Sequence, residues 1–146
     1  MLKKLAIALG MLALVFGVVG VFGSGASAHH QRGHFGPAKW RTEDGKYELT
    51  LRTTSAERNV WVQIWDVYRV NHRTKRATQR LDYSSLFVRL CSASTGNCTS
   101  FKKFNGSDGE TGAVKFTKMI PGTYRVDIVD SRTDYYYRGR IDAFTW

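Results

Sequence analysis

Arginine and tyrosine side chains are concentrated in two short stretches of the chain. Residues 69–80 (RVNHRTKRATQR) contain no acidic residue and carry five cations, namely Arg69, Arg73, Lys75, Arg76 and Arg80. Residues 131–140 (SRTDYYYRGR) place Arg138 and Arg140 beside three tyrosines, with Tyr136 in the middle. Guanidinium groups form paired hydrogen bonds with phosphate or carboxylate, and tyrosine rings offer flat stacking surfaces. Together these side chains predict an anion-binding surface.

The charge of the whole chain is consistent with this prediction. The sequence has 22 Lys and Arg against 12 Asp and Glu, a net charge of +10. Without residues 1–28 the count becomes 20 against 12, a net charge of +8. Such a surface concentrates wall polymers, acidic lipid headgroups, acidic proteins or nucleic acid. Nucleic acid is the secondary candidate among these ligands, because the sequence contains no nucleic-acid fold motif. The same charge can also serve solubility alone.

The beginning of the chain resembles an export signal. Lys3 and Lys4 precede an uncharged apolar run from Leu5 to Phe22, and Ala26-Ser27-Ala28 supplies the small residues of a cleavage site. The run of 18 residues is borderline for a membrane span, and its glycines weaken it as an anchor. We therefore expect residues 1–28 to be removed, and the remaining 118 residues to work as a single secreted domain.

Cleavage after Ala28 gives the histidines a possible role. His29 would become the first residue, and its free amine and ring nitrogen can chelate copper, with His34 the candidate partner and His30 or His72 the alternatives. Copper carriers that are small secreted β-sandwiches, and oxidative polysaccharide enzymes, share such a leading histidine. The alternative is a polar leader over 29–39 that begins with His by chance.

Catalytic groupings are absent from the sequence. A Ser-His-acid site needs a base, and His72 is the one histidine after residue 39. Asp127 and Asp130 are an odd number of residues apart on a predicted strand, so they face opposite sides. Asn105, Asp108 and Glu110 lie in NGSDGETG, which lacks the spacing of a calcium loop and reads as a hairpin loop. We expect a binding protein and not an enzyme.

Strands must position these side chains, because period-2 alternation recurs along the chain and no amphipathic helix pattern does. Seven strands are predicted, at 46–53, 59–70, 86–91, 98–104, 113–119, 123–130 and 136–145. The segment 59–70 is apolar on both faces, which indicates a central strand. Residues 71–82 are predicted as a long loop or a short helical turn. Cys91 and Cys98 should form a disulfide across a hairpin.

The segment IPGTYRVDI, residues 120–128, resembles the strand entry of prealbumin-like and Ig-like modules in secreted and wall-attached proteins. The likeness covers about ten residues and implies a fold class without a function. The predicted fold is an antiparallel β-sandwich of about seven strands, Ig-like or prealbumin-like, over residues 40–146.

The function predicted from these observations is extracellular binding of an anionic polymer or surface, such as a cell-wall polymer, an acidic lipid or a polysaccharide. Three alternatives stay open: a toxin or antimicrobial protein that acts on acidic membranes, a copper-binding protein, and a structural matrix protein. Leakage from acidic vesicles would favour the toxin. Copper binding by the new N-terminus would favour the copper-binding protein, and self-assembly through edge strands would favour the matrix protein.

Overall fold

A computed structural model describes residues 33–80, 82–106 and 111–146. The predicted signal peptide and His29 lie outside these residues. The described part forms β-strands and no helix, so it has no helix that could cross a membrane. The strands are β1 Gly33–Arg41, β2 Leu49–Thr53, β3 Val60–Asn71, β4 Ala77–Gln79, β5 Leu86–Ser92, β6 Lys102–Lys103, β7 Asn105–Gly106, β8 Gly112–Phe116, β9 Gly122–Asp130 and β10 Tyr135–Thr145.

The strands form two antiparallel sheets. The first has the order β1-β10-β3-β8-β7, with β4 also paired to β3, and the second has the order β2-β9-β5-β6. The predicted antiparallel β-sandwich is confirmed. Seven of the ten described strands have five or more residues, which matches the predicted number, although one long strand differs from those expected.

The core lies between the inward faces of the two sheets. Val62, Ile64 and Ile141 of the first sheet meet Leu51 and Val126 of the second, and each is at most 1% exposed. The prediction that 59–70 is a central strand is confirmed, because β3 lies between β10 and β8. The alternation of a pleated strand turns every second residue of β3 to the outside.

The boundary of the folded region differs from the prediction. Residues 33–39 are not a flexible leader, because they form most of β1, which pairs along its length with β10. The register between these strands shifts between Phe35 and Ala38, where Gly36 has a φ of 103°. This irregularity interrupts the period-2 pattern, so the sequence of β1 looks unstructured. His34 therefore belongs to a strand.

The segment 71–82 is also more ordered than predicted. β3 continues to Asn71, and β4 returns along it after a short turn, so the basic stretch 69–80 is a hairpin and not a long loop. The Asn71 side-chain oxygen accepts hydrogen bonds from the main-chain N–H groups of Arg73 and Thr74, each at 2.9 Å. An exposed, polar strand such as β4 has no hydrophobic alternation by which to recognise it.

The cysteine prediction is confirmed. Cys91 and Cys98 lie opposite each other on the hairpin after β5 and form a disulfide, and the described residues contain no free cysteine. The strand predicted over 98–104 is reduced to β6. Of the calcium candidates, Asn105 lies in β7, whereas Asp108 and Glu110 lie outside the described residues.

Candidate functional site

An open groove of about 530 Å³ lies on the outward face of the first sheet, where β1, β10 and β3 run side by side. Apart from Gly139, its lining consists of cationic, aromatic and carboxylate side chains: Lys39, Arg41, Arg138 and Arg140; Trp40, Tyr68 and Tyr136; and Asp66. The combination is chemically specific, since cations attract anions and the rings offer apolar stacking surfaces. We call this surface the basic groove.

Strand register places the four cations in two rows. Lys39 of β1 lies opposite Arg140 of β10, and Arg41 lies opposite Arg138. Residues that are directly opposite on neighbouring strands share a face, and successive rows on that face are about 7 Å apart. Like charges in such positions repel one another, so an anion bound between the rows would relieve that repulsion.

A β-bulge lies at the centre of the groove. Arg138 is opposite Tyr68 and Arg140 is opposite Trp65, so β3 has one more residue than β10 in this interval. Asp66 is on the bulged segment, exposed, with a φ of 50°. No ion pair joins its carboxylate to another residue of the described part. Bulges redirect side chains, and this one leaves a free carboxylate among the four cations.

Gly139 makes the bulge possible. A Cβ atom at this position would lie 2.8 Å from the main-chain oxygen of Trp65 and 2.9 Å from Nε1 of Trp40. Trp40 is 3% exposed, and its Nε1 donates a hydrogen bond of 3.0 Å to the main-chain oxygen of Arg140. The Trp40 side chain therefore joins β1 to β10 beneath the cations, and the absence of a side chain at Gly139 lets β3 approach at the same place.

Aromatic rings hold two of the guanidinium groups. The Arg41 guanidinium carbon lies 3.9 Å from the ring centroid of Tyr136, and that of Arg138 lies 5.8 Å from the centroid of Tyr68. Stacking on a ring leaves the N–H donors at the edge of the guanidinium free for an anion. The Arg140 Nε is shielded from solvent and has no hydrogen-bond partner among the described residues.

The predicted anion-binding residues fall into separate places. Arg138, Arg140 and Tyr136 come together in the basic groove. Arg69 is opposite the buried Tyr137, so it faces the other side of the sheet, and its guanidinium carbon lies 4.4 Å from the Tyr135 ring centroid. The other three cations of the hairpin turn, Arg73, Lys75 and Arg76, are exposed and do not line the groove.

Arg80 lines a different, smaller cavity of about 120 Å³, together with Trp65 and Tyr83.

The hairpin turn nevertheless lies near one end of the basic groove. The His72 ring is 5.4 Å from the Tyr136 ring, and its Nε2 is 2.7 Å from the Glu43 carboxylate. The turn therefore extends the positive surface beyond Tyr136, as a neighbour of the groove and not as its lining.

Sequence reasoning missed five side chains of the groove: Lys39, Arg41, Trp40, Asp66 and Tyr68. The first two alternate with the buried Trp40, which is the pattern of a strand with one polar face. That pattern was available in the sequence, but it is only three residues long. The pairing of β1 with β10, across about 100 residues of chain, cannot be read from local alternation.

The histidine candidate for copper has other partners in the structure. His34 Nε2 is 3.1 Å from Oδ2 of Asp142, and its ring stacks on Phe144 with centroids 4.6 Å apart. The described residues contain no group of three or more His, Cys, Asp or Glu side chains that could hold a metal ion. Because His29 is not described, the copper hypothesis for the new terminus stays a prediction.

Carboxylates lie at the edge of the groove. Glu48 accepts a hydrogen bond of 3.2 Å from the main-chain N–H of Arg41, and Glu43, Asp44 and Asp127 line the same small pocket as Glu48. Burial raises the pKa of Glu48 from 4.5 to about 8; the bond from Arg41 opposes this rise, while Asp44 and Asp127 add to it. A protonated Glu48 does not neutralise Arg41, so the groove keeps its positive charge at neutral pH.

The chain matches no protein-family model, and no curated protein is significantly similar to it. Fold and groove together define the class: a basic β-sandwich with one disulfide, whose outward sheet face combines cations and aromatic rings. Function must be inferred from the chemistry of that face, since a sandwich fold by itself is compatible with many functions.

Proposed function

We propose that this protein is a secreted binding protein that holds an anionic polymer or surface in the basic groove. The observation that carries the proposal is the pair of cationic rows, Lys39 with Arg140 and Arg41 with Arg138, on the outward face of the first sheet. The predicted signal peptide supports export, and a disulfide is compatible with an oxidising compartment.

The four cations of the groove lack acidic partners within the described residues. The ion pairs found there join His34 to Asp142, His72 to Glu43, and Arg89 to Asp127. None of them involves a cation of the groove. A protein that used these charges only for solubility would have no need to align them in register on two neighbouring strands or to place two of them against tyrosine rings. Their arrangement is better explained by a ligand.

The experiment compares two double variants of the full secreted chain. R138E/R140E reverses both β10 arginines of the groove, and R73E/R76E reverses two arginines of the hairpin turn, so that each variant changes the net charge of the chain without residues 1–28 from +8 to +4. The probes are polygalacturonate, dextran sulfate, poly-L-glutamate and vesicles of an acidic phospholipid. Because the overall charge is matched, a difference between the variants reports the place of binding.

We expect wild-type protein to bind at least one of these probes, with an affinity that falls steeply between about 50 mM and about 200 mM salt. R138E/R140E should lose at least about tenfold in affinity, equivalent to one charge-assisted hydrogen bond, and R73E/R76E should lose less. Equal losses in the two variants would mean that binding follows net charge. Failure of all probes to bind, at low salt, would overturn the proposed function.

A further inference from the structure

We propose that the ligand is an acidic polysaccharide which lies along the outward face of the first sheet, from Trp61 to Tyr136. This inference rests on the proposed function and narrows it to one class of polymer. It depends on three features of the face: aromatic rings beyond the groove, the Gln63 side chain between the rings, and the free carboxylate of Asp66.

Aromatic side chains continue past the groove in register. Trp61 of β3 is opposite Phe144 of β10, which is opposite His34 of β1, and Lys115 of β8 completes the row on the other side of Trp61. Trp61 is 40% exposed, although an indole of this size is normally buried. The flat faces of exposed aromatic rings suit the C–H faces of sugar rings, which are apolar.

The rows repeat along β3. Trp65 lies four positions after Trp61, a distance of about 13 Å along the strand. Trp65 belongs to the row of Lys39 and Arg140, and Tyr68 belongs to the next row, with Arg41 and Arg138. Between the rows of Trp61 and Trp65 lies the half-buried Gln63, which can hydrogen-bond to a ligand, whereas Asp142 opposite it is buried and paired with His34. The face thus presents stacking, hydrogen-bonding and cationic positions over several rows, which suits a long ligand with all three properties.

Asp66 distinguishes a polysaccharide from a polymer that carries only charge. Its carboxylate is exposed in the groove among the cations and is not neutralised by an ion pair within the described residues. A carboxylate accepts hydrogen bonds from hydroxyl groups and repels phosphate and carboxylate groups. Acidic sugars present many hydroxyls and few charges, whereas DNA and polyglutamate present charges without hydroxyls. Asp66 is therefore the residue that should determine specificity.

The test compares polygalacturonate, poly-L-glutamate and single-stranded DNA of similar length, with wild-type protein and three variants. D66N removes the negative charge from the groove, and D82N removes one from an exposed carboxylate at a different place in the chain. W61A removes the exposed indole, and W61F keeps a ring at the same position. Circular dichroism confirms the fold of each variant, and the affinities are measured at one salt concentration.

We expect polygalacturonate to bind at least about tenfold more tightly than poly-L-glutamate. W61A should lower the affinity for polygalacturonate about fivefold and leave the affinity for poly-L-glutamate unchanged, and W61F should lie between W61A and the wild type. D66N should lower the affinity for polygalacturonate about threefold, because its hydroxyl groups lose an acceptor. The same variant should raise the affinities for poly-L-glutamate and DNA, because a repulsive charge is lost. D82N should not produce this opposite pair of effects.

Each contrary result has a separate meaning. Equal binding of polygalacturonate and poly-L-glutamate, with D66N strengthening both, overturns the polysaccharide inference and leaves the proposed function intact. Tightest binding to single-stranded DNA, weakened by W61A, overturns it in favour of a nucleic-acid ligand. No binding to any of the polymers contradicts the proposed function as well.

Discussion

The Trp40 indole nitrogen donates a hydrogen bond to the main-chain oxygen of Arg140, 3.0 Å away, although the two residues are 100 positions apart in the chain. Trp40 is a buried core residue that also lines the basic groove, and the Arg140 side chain lines the same groove. Through this bond the core fixes the main chain of β10 at the point where the β-bulge begins. Stability and binding should therefore be coupled at this position.

The first prediction concerns this hydrogen bond. Trp40→Phe keeps an aromatic ring in the core but leaves the Arg140 carbonyl without its donor. We expect the free energy of unfolding to fall by about 1–3 kcal/mol, the usual cost of a buried acceptor left unpaired. Urea denaturation measures this, and Trp65→Phe serves as the comparison, because Trp65 is on the outward face. Equal stability of W40F and wild type would show that the bond contributes nothing.

A second prediction tests the space beneath the bulge. The Cβ atom of Gly139→Ala would lie 2.8 Å from the main-chain oxygen of Trp65, which cannot move without disturbing β3. We expect a loss of stability of about 1–3 kcal/mol. Gly122→Ala is the matched control, because no atom lies within 4 Å of its added Cβ, and it should change stability by less than about 0.5 kcal/mol. Thermal unfolding distinguishes the two; a similar stability for both variants contradicts the tight packing at Gly139.

The sandwich was predictable because its long strands carry strong local signals. Val60, Val62 and Ile64 alternate with outward residues in β3, and Tyr124, Val126 and Ile128 do so in β9, all six being buried. β1 and β4 were missed for opposite reasons. In β1 an irregularity at Gly36 breaks the alternation, and in β4 all three side chains are exposed, so no alternation exists.

The candidate site was predictable only in part, because a local pattern cannot show which strands are neighbours. Arg138, Arg140 and Tyr136 stand out in the sequence as a basic and aromatic cluster, but the other half of the groove comes from β1 and β3. The same reasoning grouped Arg69 with the exposed cations, although its pairing with Tyr137 turns it to the other side of the sheet. The density of charge in the sequence identified the residue types of the groove, whereas strand register determines which of these residues share its face.

The disulfide leads to a third prediction. The loop closed by Cys91 and Cys98 is short, so the chain-entropy model gives a stabilisation of ~2.5 kcal/mol. We expect the double variant C91S/C98S to lose about this much stability and to keep the sandwich, because β5 remains paired with β9 along its whole length. Denaturation with and without reducing agent measures the effect. An unfolded double variant at room temperature would contradict the prediction.

The fourth prediction follows from the raised pKa of Glu48. Burial raises this pKa from 4.5 to about 8, so the folded protein binds the proton more tightly than the unfolded chain does. The resulting stabilisation is complete below about pH 4.5 and is lost as the pH rises through about 8. Glu48→Gln cannot ionise and still accepts the bond from Arg41. Relative to the wild type, it should gain on the order of 1–2 kcal/mol between pH 4.5 and pH 9, since partial exposure screens the effect.

Urea denaturation at several pH values measures this difference between the wild type and E48Q. Asp44→Asn provides an independent check, because the negative charge of Asp44 contributes to the raised pKa of Glu48. In that variant the pKa of Glu48 in the folded protein should be lower, so the loss of stability should still begin near pH 4.5 but end at a lower pH and be smaller in total. If the wild type and E48Q keep a constant difference in stability from pH 4.5 to pH 9, the carboxyl of Glu48 has an ordinary pKa.

The last prediction separates stacking from charge in the basic groove. The Tyr136 ring is partly exposed and lies 3.9 Å from the Arg41 guanidinium carbon, so it both orients a cation and offers a surface to a ligand. Tyr136→Ala removes the ring without changing any charge. For a bound polyanion we therefore expect an affinity about fivefold lower, with the same dependence on salt as the wild type.

Reversal of the turn cations in R73E/K75E/R76E should have the complementary effect. These exposed charges attract the polymer and release its counterions, so the triple variant should bind more weakly and show a flatter plot of the logarithm of affinity against the logarithm of salt concentration. Its fold should remain intact, since the three residues lie between β3 and β4. Titrations of both variants over a range of salt concentrations decide between the two roles. A changed salt slope in Tyr136→Ala would mean that the ring acts by positioning Arg41. An unchanged slope in the triple variant would mean that the turn does not meet the ligand.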